Sequence, residues 1–186
     1  MATSKRAGVQ ERLHSRMGNT GDTLYMFTTV IVAVTISGLA AHFAEQPLLF
    51  PSLGPTALLL FERPLSIQAS PRNTLIGHLV GILAGAGALA TFGLLDAPSV
   101  IQEGVTFPRI AAAALSLAVT GAILLLARAQ HPPAGATTLL VSLGLLTSLA
   151  QMISVAIGVL LLTVSSWLIN RALGIPVPAW APDERE

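Results

Sequence analysis

The sequence predicts an all-α, polytopic transmembrane helical bundle made of two span–short helix–span repeats, the second inverted relative to the first. Three observations predict it. Hydrophobic residues fill 53% of the 186 positions and charged residues only 10%, whereas a water-soluble domain is about a quarter charged. Much of the outer surface must therefore face lipid. Four apolar runs are long enough to cross a hydrocarbon core of about 30 Å, which takes roughly 20 helical residues. Between them lie two shorter runs that open with matching proline and glycine punctuation.

In chain order, residues 1–21 form a basic segment with Lys5, Arg6, Arg12 and Arg16. The first apolar run, Leu24 to Ala44, is too long for a signal peptide, and no clean small-residue cleavage site follows it. It is expected to be a retained span. Ser52 to Phe61 is about half a span, and Asn73 to Leu95 is a full one. The loop Asp96 to Pro108 is acidic, with no Lys or Arg. Ile110 to Ala129 is the third full span, Pro133 to Leu149 falls just short of one, and Gln151 to Leu173 is the last. The membrane domain thus covers 22–172, with repeats at about 22–95 and 108–172. In the tail, 173–186, Ile175-Pro176-Val177-Pro178 cannot be helical, so a short surface tail is expected.

The repeat rests on Phe50-Pro51-Ser52-Leu53-Gly54-Pro55-Thr56 and His131-Pro132-Pro133-Ala134-Gly135-Ala136-Thr137. Placing Pro51 on Pro132 also places Gly54 on Gly135 and Thr56 on Thr137, a shared P-x-x-G-x-T followed by aliphatics. If all six apolar elements cross, the basic N-terminus, Arg63, Arg72, Arg128 and Arg171 fall on one side and Glu45, Asp96 and Glu103 on the other. That distribution obeys the positive-inside rule. A four-crossing arrangement, with the short elements dipping in and returning, would turn Arg63, Arg72 and Arg128 outward. Three crossings per repeat is an odd number, so the second copy would be inverted, a recurrent transporter architecture. The N-terminus is then cytoplasmic, in what is expected to be a bacterial inner (plasma) membrane.

A helix that starts within a membrane protein leaves up to four backbone N–H groups and a partial positive charge at its first turn. Such a start needs a protein-enclosed or watery cavity, and an anion could supply the missing partner. Gly54 and Gly135 would permit close approach there, and Ser52, Thr56, Thr137 and Thr138 add hydroxyls that could bind substrate or cap the helix. The plainer alternative is a tight turn at the membrane surface, with threonine bonding back to its own helix. His131, just before Pro132, could donate to an anion, pass a proton or simply sit at the interface. His78 lies inside an apolar run, where an ionisable group is costly; it either lines a polar cavity or makes a helix-packing hydrogen bond. Arg72 with Asn73 reads as a pathway group or a snorkelling anchor. Gly77, Gly81, Gly85 and Gly87 read as a helix-packing face.

With no cysteine, disulfides, thiolate metal sites and cysteine nucleophiles are excluded. No nucleotide loop or HExxH string is present, so neither enzymatic activity nor a cofactor or metal is expected. A net charge of +1 gives no argument for a nucleic-acid partner. The partners expected are the lipid bilayer, a small anion and a second copy of the chain.

H-P-P-A-G-A-T at 131–137, F-P-S-L-G-P-T-A at 50–57 and P-R-N-x-x-x-G-H at 71–78 resemble the HPP family of integral membrane proteins, whose motif is His131-Pro132-Pro133 here. The resemblance covers roughly residues 22–172. Members from cyanobacteria and plant chloroplasts are described as nitrite transporters, so it implies a membrane transporter or channel for a small anion, nitrite preferred. Some relatives append CBS domains, which are expected to be absent or supplied elsewhere here. The segments Glu62-Arg63 and Ser66–Ser70 depart from the commoner loop and leave the cargo open. Transport of a different solute and a non-transporting subunit therefore stay as alternatives. No Asp or Glu lies deep in a span, which counts against a carboxylate-built cation site.

Overall fold

The helices arise where apolar runs meet start and stop signals. The computed structural model describes residues 8–181. In chain order it contains α1 (Val9–Met17), α2 (Asn19–Ala44), α3 (Leu53–Glu62), a single 3-10 turn (Ile67–Ala69), α4 (Pro71–Thr91), α5 (Val100–Glu103), α6 (Phe107–Leu126), α7 (Ala134–Ser142) and α8 (Leu149–Ala172). No strand is present among the described residues. Ser70 caps α4, its side chain accepting from the Asn73 N–H, with Pro71 in the first turn. Ser148 and Gln151 form a capping box that starts α8. Together with Gly144 (φ +79) beyond the end of α7, that box cuts the run Pro133 to Leu149 down to nine helical residues.

Among the described residues, four helices are long and apolar enough to cross a membrane: α2, α4, α6 and α8. Their outward faces stay apolar, with Phe27, Ile31, Leu83, Ile123, Ile157 and Leu168 all exposed, the surface that lipid requires.

Hydrogen bonds sort the helix ends into two groups. At one end, the Val9 N–H donates to the Leu173 carbonyl (2.8 Å). The Tyr25 hydroxyl of α2 donates to Asn170 Oδ1 of α8, and Asn170 Nδ2 donates to the Leu60 carbonyl of α3 (3.1 Å). The Arg72 guanidinium of α4 donates to the Ala127 and Arg128 carbonyls at the close of α6. At the other end, Arg109 of α6 donates to the Ser142 carbonyl of α7 (3.3 Å), and the Val100 N–H donates to the Leu143 carbonyl (3.1 Å). The chain therefore runs between the two ends six times, four times as a long helix and twice as a non-helical stretch followed by a half-length helix. Both half-helices begin deep in the bundle. A Cβ on Gly158, near the middle of α8, would run into the Leu48 carbonyl oxygen, and one on Gly81, mid-α4, would lie 2.8 Å from that of Ala134. α3 then runs to the first end and α7 to the second.

The α4 glycines do pack helices. A Cβ at Gly77 would sit 2.8 Å from His131 Cβ, and one at Gly85 would sit 2.7 Å from Val141 Cβ, so α7 lies against bare backbone along this face. Gly87 points elsewhere, with nothing near it.

Two expectations need correcting. The described part of the tail, residues 173–181, is non-helical but does not lie on the surface as expected. Ile175 and Val177 are buried in the core, the Pro178 carbonyl accepts from Trp167 Nε1 (3.0 Å), and the Trp180 carbonyl accepts from the Arg72 N–H (3.1 Å). These pairings give an irregular segment the backbone partners it would otherwise lack. Of the basic N-terminal segment, Lys5 and Arg6 lie outside the described residues, while Arg12 and Arg16 sit on α1, a helix the apolar-run reading did not anticipate.

Candidate functional site

At the centre of the bundle the polar positions of the two short elements converge on one side chain. His78 of α4, 1% exposed, has Thr56 Oγ1 of α3 2.9 Å from its Nε2 and Thr137 Oγ1 of α7 2.6 Å from its Nδ1. Thr56 and Thr137 are the equivalent threonines of the two P-x-x-G-x-T strings. Counting hydrogens orients the chain of bonds. The Thr56 hydroxyl donates to the Ser52 carbonyl (3.0 Å), so its oxygen accepts from His78 Nε2–H. His78 Nδ1 then accepts from the Thr137 hydroxyl. A neutral ring is thereby satisfied at both nitrogens within a buried site.

His131 stands beside it, with ring centroids 5.0 Å apart. It too is 1% exposed. Its Nδ1–H donates to the Gln68 carbonyl (2.8 Å), and its Nε2 has no hydrogen-bond partner. Thr138 Oγ1 lies 2.9 Å from Thr120 Oγ1 of α6; Thr120 donates its proton to the Ser116 carbonyl (2.8 Å), so the single Thr138 proton is shared between Thr120 Oγ1 and the Ala134 carbonyl (3.1 Å). Ser52 is fully buried, with its hydroxyl unpartnered. A cavity of about 320 Å³ opens between α6 and the start of α7, with His131, Pro132 and Gly135 in its wall.

The half-helix starts differ from the expectation in two respects. Their N–H groups do not stand free. Leu53 and Gly54 donate to the carbonyls of Phe50 and Pro51, and Ala134, Gly135 and Ala136 donate to those of His131, Pro132 and Pro133. Tightened i→i−3 turns consume the donors because a low-dielectric surrounding makes any orphan costly. The glycines do not serve close packing. Gly54 faces outward with nothing within 4 Å of a Cβ, and a Cβ on Gly135 would meet only Leu117 Cδ1. Gly54 thus lies apart from the polar cluster, whereas Gly135 borders the cavity.

Arg72 ties the start of α4 to the chain just past α6. Its guanidinium covers the last carbonyls of α6 and touches Asn73 Oδ1 (3.1 Å), and buried Asn73 reaches the Gln130 carbonyl. Sequence reasoning missed four participants. Ser116 and Thr120, four residues apart on α6, were readable as an intramembrane polar pair. Gln68 gave no signal, since its backbone does the work. Arg109, 2% exposed, donates to the Ala97, Pro98 and Ser142 carbonyls; it sits one residue past the loop judged free of basic residues. No group of three or more His, Cys, Asp or Glu among the described residues could hold a metal.

The family model for the HPP transmembrane region matches residues 15–178. Two transmembrane proteins of Dictyostelium discoideum are similar, one 27% identical over 121 residues and the other 29% identical over 117. The aligned stretches cover 65% and 63% of this chain but 39% and 34% of those proteins, so the chain spans well under half the length of these relatives. No solved structure matches it.

Proposed function

From the premise that this chain belongs to the HPP transmembrane family, we propose that it is a transporter for a small monovalent anion, nitrite preferred, and not an enzyme. The observation that carries this reading is His78 held from both sides by Thr56 and Thr137. Two short helices, each starting deep in the bundle and running to opposite ends, meet through one polar side chain. In this reading they are inverted repeats around a central pathway, and the end that gathers Arg63, Arg72, Arg128 and Arg171 is cytoplasmic. Ser52, Thr56, His78, His131, Thr137 and Thr138 form the path. Pro132 and Gly135 shape its cavity, and Arg72 with Asn73 closes one end. The anion preference is supported by the buried guanidinium of Arg109, which meets only backbone carbonyls, and by hydroxyl and imidazole groups with no carboxylate among them.

The test is nitrite uptake into liposomes holding the purified protein, with nitrate, formate and chloride as competitors. Gly135→Leu is the matched variant. A Cβ there would meet only Leu117 Cδ1, the end of a flexible side chain, and Gly135 lines the cavity, so the protein should fold while the cavity fills and uptake stops. Undiminished uptake by Gly135→Leu would remove this cavity from the path. Absence of uptake by folded wild-type protein would favour a different solute or a non-transporting subunit.

A further inference from the structure

The cavity beside α7 joins three features. Its walls are mainly apolar, with Leu117 and Leu124 of α6 facing Pro132 and Gly135. Of the polar groups in it, Thr120 already donates its hydroxyl proton to the Ser116 carbonyl (2.8 Å), and Gln130 is exposed at the rim. The third feature is the His131 ring in its wall, 1% exposed, whose Nε2 has no partner. Because the Gln68 carbonyl can only accept, it fixes the proton on Nδ1. Nε2 therefore presents a lone pair.

A lone pair repels a bare anion, apolar walls do not solvate a charge, and the first N–H groups of α7 are already bonded to carbonyls of their own turn. What this place accepts is a small molecule carrying a proton to donate. A metal ion would need further ligands, and no cluster of them is present among the described residues.

We infer that the cargo occupies this cavity as the conjugate acid of a small oxyanion, its O–H donating to His131 Nε2, so that one proton moves with each anion. The inference rests on the anion-transport reading and adds its coupling. The proton is carried either on the acid oxygen or, after transfer, on Nε2 as an imidazolium paired with the anion. Both states have the same net charge and need no co-reactant. The surroundings of His131 allow this. From α4 it faces the His78 ring, from the segment before α4 the Gln68 carbonyl, and from α6 and α7 only non-titrating side chains. Arg72, a cation of that end, is committed to the Ala127 and Arg128 carbonyls.

The experiment uses sodium nitrite, proteoliposomes of the full chain with a pH dye inside, and protein-free vesicles to subtract acid crossing the lipid itself. The expected wild-type result has three parts. Protein-dependent uptake rises about tenfold for each unit the external pH falls, following proton concentration. The lumen acidifies with about one proton per nitrite, and an imposed membrane potential leaves the rate unchanged. His131→Asn places its amide N–H where Nδ1 was, so the Gln68 tether survives while Nε2 is deleted. That variant should keep the wild-type Tm yet lose about tenfold in uptake at the acidic end, together with the steep pH dependence. Uptake driven by membrane potential, or a folded His131→Asn protein with wild-type pH dependence, overturns the inference and leaves anion transport standing. No protein-dependent uptake at any pH overturns the anion reading and the inference with it. Should His131→Asn not fold, the membrane-potential result on wild-type protein decides alone.

Discussion

Replacing Thr137 by valine tests the central cluster most directly. The two side chains have nearly the same shape, so packing around a fully buried position is kept and only the hydroxyl is lost. The hydroxyl has a single partner, His78 Nδ1 at 2.6 Å, and the variant leaves that nitrogen buried without a donor. Stranding a buried acceptor costs about 1–3 kcal/mol in water-soluble proteins. Side-chain hydrogen bonds within membrane bundles average nearer 0.6 kcal/mol and reach about 1.7. A loss of about 1 kcal/mol is therefore expected, which in a chain of this size lowers Tm by about 2–4 °C. Thr138→Val is the control. The Thr138 hydroxyl bonds its own helix and Thr120, and Thr120 keeps its bond to the Ser116 carbonyl when Thr138 is lost, so the change should not exceed about 0.6 kcal/mol. Thermal unfolding of both purified variants in the same detergent measures the difference, and nitrogen NMR of the imidazoles reports whether wild-type His78 carries its proton on Nε2. Equal stability of the two variants, or a His78 proton on Nδ1, would refute the bonding order assigned here.

Three further outcomes are expected. Gly81→Val sets a side chain where even a Cβ would be 2.8 Å from the Ala134 carbonyl oxygen; forcing α4 and α7 apart should cost about 1–3 kcal/mol, read as lost Tm or lost yield of folded protein. Arg109→Met removes the donors to three carbonyls and should cost about 1–3 kcal/mol, with new protease cleavage in the loop at Ala97 and Pro98. Tyr25→Phe leaves Asn170 Oδ1 without its donor and should lower stability by about 1 kcal/mol; a Tm unchanged by that substitution would show that α2 and α8 are held together by packing alone.

The long helices were legible because their information is local: some twenty apolar residues with Ser-Pro or Ser-x-x-Gln at the start can hardly do anything else in lipid. The special positions Thr56, Thr137, His78 and His131 were legible as a list of polar residues at helix starts or within apolar runs. Their meeting was not, since His78 and Thr137 are 59 positions apart and the register between α4 and α7 is set by Gly77, Gly81 and Gly85, which lack side chains to announce it. The glycines of the short elements misled for the converse reason. Glycine beside proline resembles a close-approach motif, yet Gly54 faces outward. Free N–H groups at the half-helix starts were a fair inference from ideal α-geometry, and the i→i−3 turns at Ala134 to Ala136 defeat it. The buried tail was missed because prolines rule out helix but say nothing about burial.

That last-mentioned tightening changes what an anion would meet at the centre. Every hydroxyl bonded to His78 or to Thr120 already has a partner inside the protein, and the backbone donors are spent on their own turns. Apart from the unpartnered Ser52 hydroxyl, a ligand passing here would gain a donor only by taking one from a protein acceptor, and the donor most simply taken is the Thr137 hydroxyl, which has no second bond. Turning it toward a ligand would release His78 Nδ1 and, with it, the tie from α7 to α4 and α3. Under the transport reading, occupancy and the hold between the two half-helices would then compete for the same proton donor. Binding would loosen one short helix against the other because one hydroxyl cannot donate twice. A divalent or strongly hydrated anion asks for several donors at once, and this site has only the Ser52 and Thr137 hydroxyls to offer, so the same count of hydrogens favours a small cargo of at most one charge.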